Sequence, residues 1–289
     1  MASKLSETLD ILKNLESIPT LPAIVTKIIE IANDKNSTAK ELNNLISHDQ
    51  SLTARTLKLA NSAYYGFPRT ISKITEAIVV LGFNTVKGIA LSASVCHMYK
   101  DTNEILGFSP NKLWEHSVGV AICAELIAKK INFKDIEELF ILGIIHDIGI
   151  LIELEFLKSK LNTILYRTKT EKQRLSIIEK EEIGINHAIL GKKLAEQWKL
   201  PKIMGEVIAF HHTPQYAFGD TKPLAAIIYL ADLICRLKNI GHDGEYFIPP
   251  LSKEAFETIN FNKGDIKEIA NLLNAELEKA TDFMELVKK

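Results

Sequence analysis

The sequence predicts an all-α protein. Apolar residues recur at three- and four-residue spacing along nearly the whole 289-residue chain, strict polar/apolar alternation is rare, and capping or breaking residues bound the segments so defined. Leu5, Leu9, Leu12 and Leu15 set the first helical stripe, and Pro19 and Pro22 punctuate the entry to the next. Ser37-Thr38 with Glu41 offers a cap and an acidic first turn for Leu42 to Ser47, and Asp49 or Ser51 caps Leu52 to Asn61. Gly66 and Pro68 break the pattern over Ser62 to Arg69, after which Ile71 to Leu81 and Thr85 to Tyr99 resume it.

A polar stretch with Gly107 and Pro110, Lys100 to Pro110, marks a subdomain boundary. Helices are expected beyond it over Asn111 to Lys130, Asp135 to Leu157, Ser176 to Ile183, Asn186 to Trp198, Lys202 to His211 and Pro223 to Asn239. After a loop over Gly241 to Pro250 come two more, Lys253 to Ile259 and Lys263 to Val287. The expected division is an N-terminal subdomain over 1–105, a second over 106–240 and a C-terminal extension over 241–289.

Composition narrows the function. With 35 basic and 36 acidic residues and a net charge of −1, no overall field draws the chain to nucleic acid or an anionic membrane, and neither is expected as a partner. The one aromatic-basic cluster, Tyr64-Tyr65-Gly66-Phe67 with Arg69, reads as packing at the junction of the two halves. Cys96, Cys123 and Cys235 are odd in number and lie in apolar surroundings, the usage of a reducing cytoplasm, and the N-terminus has no secretory pattern.

Chemistry concentrates in the 106–240 segment. His146-Asp147 interrupts the apolar run Leu139 to Leu154, and His116 and Asp232 sit within similarly apolar periodicity, where an unpaired polar group is costly. Taken alone, His146 could be a satisfied core histidine; His116, His146, Asp147 and Asp232 together make a divalent metal site the sharper expectation. His187 and the doublet His211-His212 could hold a second ion with Asp147 bridging, although His212 could equally be a helix C-cap cation. Nitrogen and oxygen ligands without thiolate admit Fe, Mn, Ni, Zn or Mg. His48, His97 and His242 fall outside the pattern, Asp49 reads as a cap, and Lys192 and Lys193 as a solvated face.

The order His116, His146-Asp147, Asp232 resembles the HD superfamily of metal-dependent phosphohydrolases. The stretches IPTLPAIVTKIIEIAND, ISHDQSLTARTLKLANSAYYGFPRTISKITEAIVVLGFNTVKGIAL and WEHSVGVAICAELIA are similar to the HDOD family, the HD-related output domain of bacterial signalling proteins. That resemblance covers roughly Leu15 to His212. It implies an N-terminal helical bundle packed on an HD-like bundle, a regulatory role in bacterial signal transduction, and other signalling proteins as partners. Against the HD-GYP cyclic-dinucleotide phosphodiesterases there are two departures: Ile150 stands where HDIGK has lysine, and TPQYAFGDTKPL follows His211-His212 in place of a GYP loop. Cyclic di-GMP hydrolysis is therefore not expected. The favoured expectation is a non-catalytic interaction module whose retained site holds one or two metal ions or a small phosphorylated ligand. The alternative is an active metal-dependent phosphohydrolase acting on a nucleotide or other phosphoester, with Asp147 as the catalytic group.

Overall fold

Helices α1 (Ala23–Asn33), α2 (Ala39–Ser47), α3 (Gln50–Ala60), α4 (Ile74–Leu81) and α5 (Phe83–Val95) build the N-terminal part of the computed structural model. The structure describes residues 23–34, 36–99, 104–134, 136–246, 248 and 251–288, so the helix expected at Leu5 to Leu15, Pro19 and Pro22 lie outside the described residues. Local chemistry starts the helices where the sequence places them. Thr38 and Glu41 form a reciprocal capping box at α2, and the Asp49 carboxylate caps α3 by accepting from the Leu52 amide at 2.8 Å. Asn61 holds the broken segment 62–70 in place by donating to and accepting from the Ile71 backbone, at 2.8 and 2.7 Å. Helix α5 is buried from Gly88 to Val95 and packs against α1, α3 and a later helix over Ile136–Ile145.

The central element is α6 (Pro110–Lys130), which starts with Ser109 at its cap and Pro110 in its first turn, and is buried without interruption from His116 to Ala124. Around it lie α7 (Ile136–Ile145), α13 (Thr221–Leu237) and α15 (Lys263–Lys279), with α8 (Gly149–Phe156), α11 (His187–Gln197) and α12 (Lys202–Phe210) behind them. The single helix expected over Asp135 to Leu157 is two helices. The chain turns at His146-Asp147-Ile148, where Ile148 and Ile150 donate to the carbonyls of Ile145 and Asp147 in tight i to i−3 bonds. Gly149 makes the turn possible, because a Cβ there would lie 1.9 Å from the His187 carbonyl oxygen.

Helix α9 (Lys158–Glu171), absent from the sequence expectation, buries Leu161, Ile164, Leu165 and Thr168 as one stripe. It forms a hairpin with α10 (Leu175–Ile183), clamped by Arg167 to Glu171, Glu181 and Glu182 at 2.6 to 2.7 Å. At the C-terminus, α14 (Lys253–Thr258) and α15 are followed by a break at Ala280 and a short α16 (Thr281–Met284), where one helix to Val287 is expected. The break delivers Phe283 into the core, its carbonyl accepting from Trp114 Nε1 at 2.8 Å and its ring meeting Tyr64 and Phe140. Tyr64 and Tyr65 thus pack where the N-terminal helices, α7 and the C-terminal segment meet, and the Tyr64 hydroxyl donates to Glu125. One contiguous apolar core runs through all of these elements, and it contains the three free cysteines. Among the described residues no strand forms beyond an isolated bridge between Ile105 and Phe108, and no helix is long and apolar enough to cross a membrane.

Candidate metal centre

Five elements deliver polar side chains to one buried point: α6 brings His116, the α7–α8 turn His146 and Asp147, the first turn of α11 His187, the end of α12 His211 and His212, and α13 Asp232. All seven residues singled out in the sequence are part of this cluster. The Asp147 carboxylate is its middle, with Oδ2 3.1 Å from His146 Nε2 and Oδ1 3.2 and 3.4 Å from His211 Nε2 and His187 Nε2. His212 Nε2 stands 2.8 Å from His187 Nε2 and 3.0 Å from His211 Nε2, and His116 Nε2 lies 3.1 Å from Asp232 Oδ1. Six of the seven are at most 1 % exposed, and His212 is the rim.

Four imidazoles share one orientation. Nδ1 of His116 donates to the Ile240 carbonyl at 3.2 Å, that of His146 to Gly143 at 2.8 Å, that of His211 to Ile208 at 2.6 Å, and that of His187 to the Glu179 carboxylate at 2.7 Å. Each acceptor fixes the proton on Nδ1, which leaves the inward Nε2 as a lone pair in the neutral ring. Lone pairs aimed at one another and at carboxylate oxygens repel unless a cation lies among them. His146 Nε2 and both Asp147 oxygens are buried without a hydrogen bond, despite their close neighbours. These residues therefore fit a divalent ion. The donors fall into two groups, each within a 4.8 Å span: His116, His146 and Asp147, and Asp147, His187, His211 and His212. Asp147 belongs to both. A third group, His116, Asp232 and Asp243, already has a cation, for Arg236 Nη2 lies 3.0 Å from Asp232 Oδ2 and 2.5 Å from Asp243 Oδ2.

The electrostatics follow from burial against charge. Burial pulls the His116 imidazole down, but Asp243, Asp232 and Asp147 outweigh it and raise its pKa to about 9. His187 is likewise raised to about 9, chiefly by Glu179 working against burial. His211 and His212 are driven down chiefly by desolvation and also by neighbouring imidazoles, and Asp147, which pulls the other way in both, does not make up the loss. Asp147 is held well below the usual carboxylate range, since His146 and the other imidazoles overcome its burial.

Sequence reasoning misses the groups that orient this cluster. Glu179 fixes His187, and Glu153, fully buried, is pushed up by burial and by Glu179. Asp243 is held at about 2 against its burial by Arg236 and His116. A partial signal exists for Glu179: a histidine ligand wants an acidic or carbonyl partner for its second nitrogen, and the helix upstream of His187 offers three acids, Glu179, Glu181 and Glu182. The residues set aside in the sequence stand apart from the cluster. His48 caps α2 through the Asn44 carbonyl, His242 packs between Phe108 and Tyr246, and the His97 side chain lies outside the described residues. Ile150, in the place of the HD-GYP lysine, is buried at 1 % exposure.

A family model for the HDOD domain matches residues 18–214. The chain belongs to the HDOD domain family. Its structure is similar to that of an HDOD domain protein with unknown function from Geobacter sulfurreducens, with a TM-score of 0.80 and 26% identity over 100% of this chain and 98% of the other. A candidate signal transduction protein from Marinobacter aquaeolei VT8 superposes with a TM-score of 0.80 at 17% identity, over 100% of this chain and 66% of its own. A candidate phosphohydrolase from Shewanella amazonensis SB2B gives 0.74 at 24%, over 96% and 97%. At those identities the last two share the fold. A protein of Treponema pallidum (strain Nichols) is 24% identical over 226 residues, 77% of this chain, and the HDOD chain spans 43% of that relative's length.

Proposed function

We propose that this HDOD protein is a regulatory module of bacterial signal transduction that holds one or two divalent ions in its HD-like bundle without turning over a substrate. The observation that carries the metal is the convergence of inward Nε2 atoms on a carboxylate whose oxygens have no hydrogen bond. His116, His146, Asp147 and Asp232 would hold one ion, and His187, His211 and His212, sharing Asp147, a second. A bound pair would supply positive charge and, in an enzyme, Lewis acidity toward a phosphoester. What supports a binding role over catalysis is burial: His212 is 12% exposed at its side chain, the remaining ligands are at most 1% exposed, and Ile150 brings hydrocarbon where a phosphate-binding lysine would be needed. The shared Asp147, which is the arrangement two-metal phosphohydrolases use, favours the second reading, an active phosphohydrolase.

The experiment measures metal content by plasma mass spectrometry, then assays nucleotides, cyclic dinucleotides and an aryl phosphate with Mn²⁺ or Fe²⁺. The expected result is one or two equivalents of metal and no turnover. Turnover that Asp147→Ala abolishes would replace the first reading with the second, and a metal-free wild type after reconstitution would remove both.

A further inference from the structure

The segment after α13 folds over the rim of the cluster as a strap. Asn239, Gly241 and Gly244 all take left-handed backbone angles, φ of 53°, 62° and 94°, and Gly241 presses so closely on α6 that a Cβ would lie 2.3 Å from the His116 amide nitrogen. The strap is tied at three further points: the His242 amide donates to the Lys112 carbonyl at 3.0 Å, Asp243 pairs with Arg236, and the Tyr246 hydroxyl donates to the Leu106 carbonyl at 3.1 Å. Its fourth tie is of another kind. Glu245 turns inward, and its Oε2 accepts from the Leu175 amide at the start of α10 at 3.0 Å, while its Oε1 is buried with no hydrogen bond.

Glu245 thereby fills a slot beside His212, at the rim of the cluster. The slot is lined by Arg174, Ser176, His212, Tyr229 and Arg236, and about 10 Å³ of it remains free. On the other face of Glu245 and Arg236 lies an open cavity of about 320 Å³, which reaches His116 and takes its remaining wall from the strap. Two side chains therefore separate a ligand-sized cavity from the rim histidine. Arg236 is fixed by Asp232 and Asp243, whereas Arg174 makes no ion pair among the described residues. The slot thus carries two guanidiniums on its lining and the Leu175 helix-start amide bonded to the resident acid, donors suited to an oxyanion.

We propose that this slot is a recognition site for a phosphate group, and that Glu245 occupies it as an internal stand-in which the ligand displaces. The proposal rests on the reading of the cluster as a metal-holding regulatory centre, to which it adds the ligand class: a small phosphorylated molecule whose body lies in the cavity and whose phosphate reaches Arg174 and the His212 edge. Burial, with Asp243 beside it, pushes the Glu245 carboxyl up to about 8 although Arg236 opposes this.

The test is calorimetric titration of inorganic phosphate into the full chain loaded with Mn²⁺, for wild type, Glu245→Ala, Glu245→Ser and Glu245→Ala with Arg174→Gln, each with its metal content and melting temperature recorded. Ser keeps a hydroxyl near the Leu175 amide and serves if Ala unfolds the strap. The expected result is phosphate affinity at least tenfold tighter in either single variant, and loss of that gain when Arg174→Gln is added. Equal affinity in wild type and both single variants, or a gain indifferent to Arg174, overturns the proposal. Metal content reads the centre separately: a gain in phosphate affinity without bound metal keeps the slot and removes the metal reading, and full metal without a gain does the reverse.

Discussion

His187 and His212 face each other through their Nε2 atoms at 2.8 Å while Nδ1 of His187 already donates to Glu179. Neutral His187 can then offer only a lone pair, as can His211, whose Nδ1 proton is committed to Ile208. One proton on His212 Nε2 cannot satisfy both rings. Without a metal ion the cluster must be completed by extra protons, and with one those protons must leave.

Proton release makes metal affinity depend on pH. His116 and His187 are raised to about 9 in the metal-free fold, above the ordinary 6.5, so each stabilises that fold below pH ~6.5 and the contribution is lost as pH rises through about 9. A divalent ion binds the neutral rings, so its apparent affinity rises over the same window. The melting temperature of chelator-treated protein should fall between pH 6.5 and 9 while Mn²⁺ affinity climbs. A flat affinity profile would mean that these two imidazoles are not ligands.

The central ligands should couple metal content to stability. His146→Ala and Asp147→Ala are expected to lower both bound metal and melting temperature, because an ion that binds only the folded chain stabilises it by about 2.7 kcal/mol at a hundredfold excess over its dissociation constant. Adding a chelator to wild type should remove most of the difference in melting temperature. Variants that kept wild-type metal content would show that the ion sits elsewhere.

The helical class and the members of the buried cluster are legible in the sequence because burial leaves a strong mark: His116, His146 and Asp232 sit in runs of apolar residues that no solvated polar group would choose. The break at His146-Asp147 is not legible, since LFILGIIHDIGILIEL is continuously apolar and the turn depends on how close α11 comes to Gly149, a tertiary fact. Helix α9 is the opposite case. Its stripe of Leu161, Ile164, Leu165 and Thr168 has helical spacing but is diluted by lysines and threonines until packing against α8 and α10 decides it. Asp243 and Arg236 act on His116 and Asp232 through contacts between segments, and no local spacing reveals such pairs.

Glu179 is expected to set metal affinity without touching the ion. Its carboxylate accepts from both the ring Nδ1 and the amide of His187, so it fixes the tautomer and the direction of Nε2. Glu179→Gln should weaken metal binding by roughly 10- to 100-fold, and circular dichroism should report an unchanged helix content. Unchanged affinity would show that His187 needs no such partner.

Gly149→Ala tests whether the turn that presents Asp147 depends on close approach of two backbones. The added methyl would lie 1.9 Å from the His187 carbonyl oxygen and 2.7 Å from the Gly191 amide nitrogen, and neither backbone atom can swing away as a side-chain tip could. Helices α8 and α11 must separate, at a cost of about 1–3 kcal/mol as for other overpacked sites. His187 would move with α11, so the melting temperature should fall and bound metal with it. Gly205→Ala is the matched control, because a Cβ at Gly205 meets nothing closer than 3.7 Å. Equal melting temperatures for the two variants would mean that α11 is free to shift, and that its distance from α8 does not position the centre.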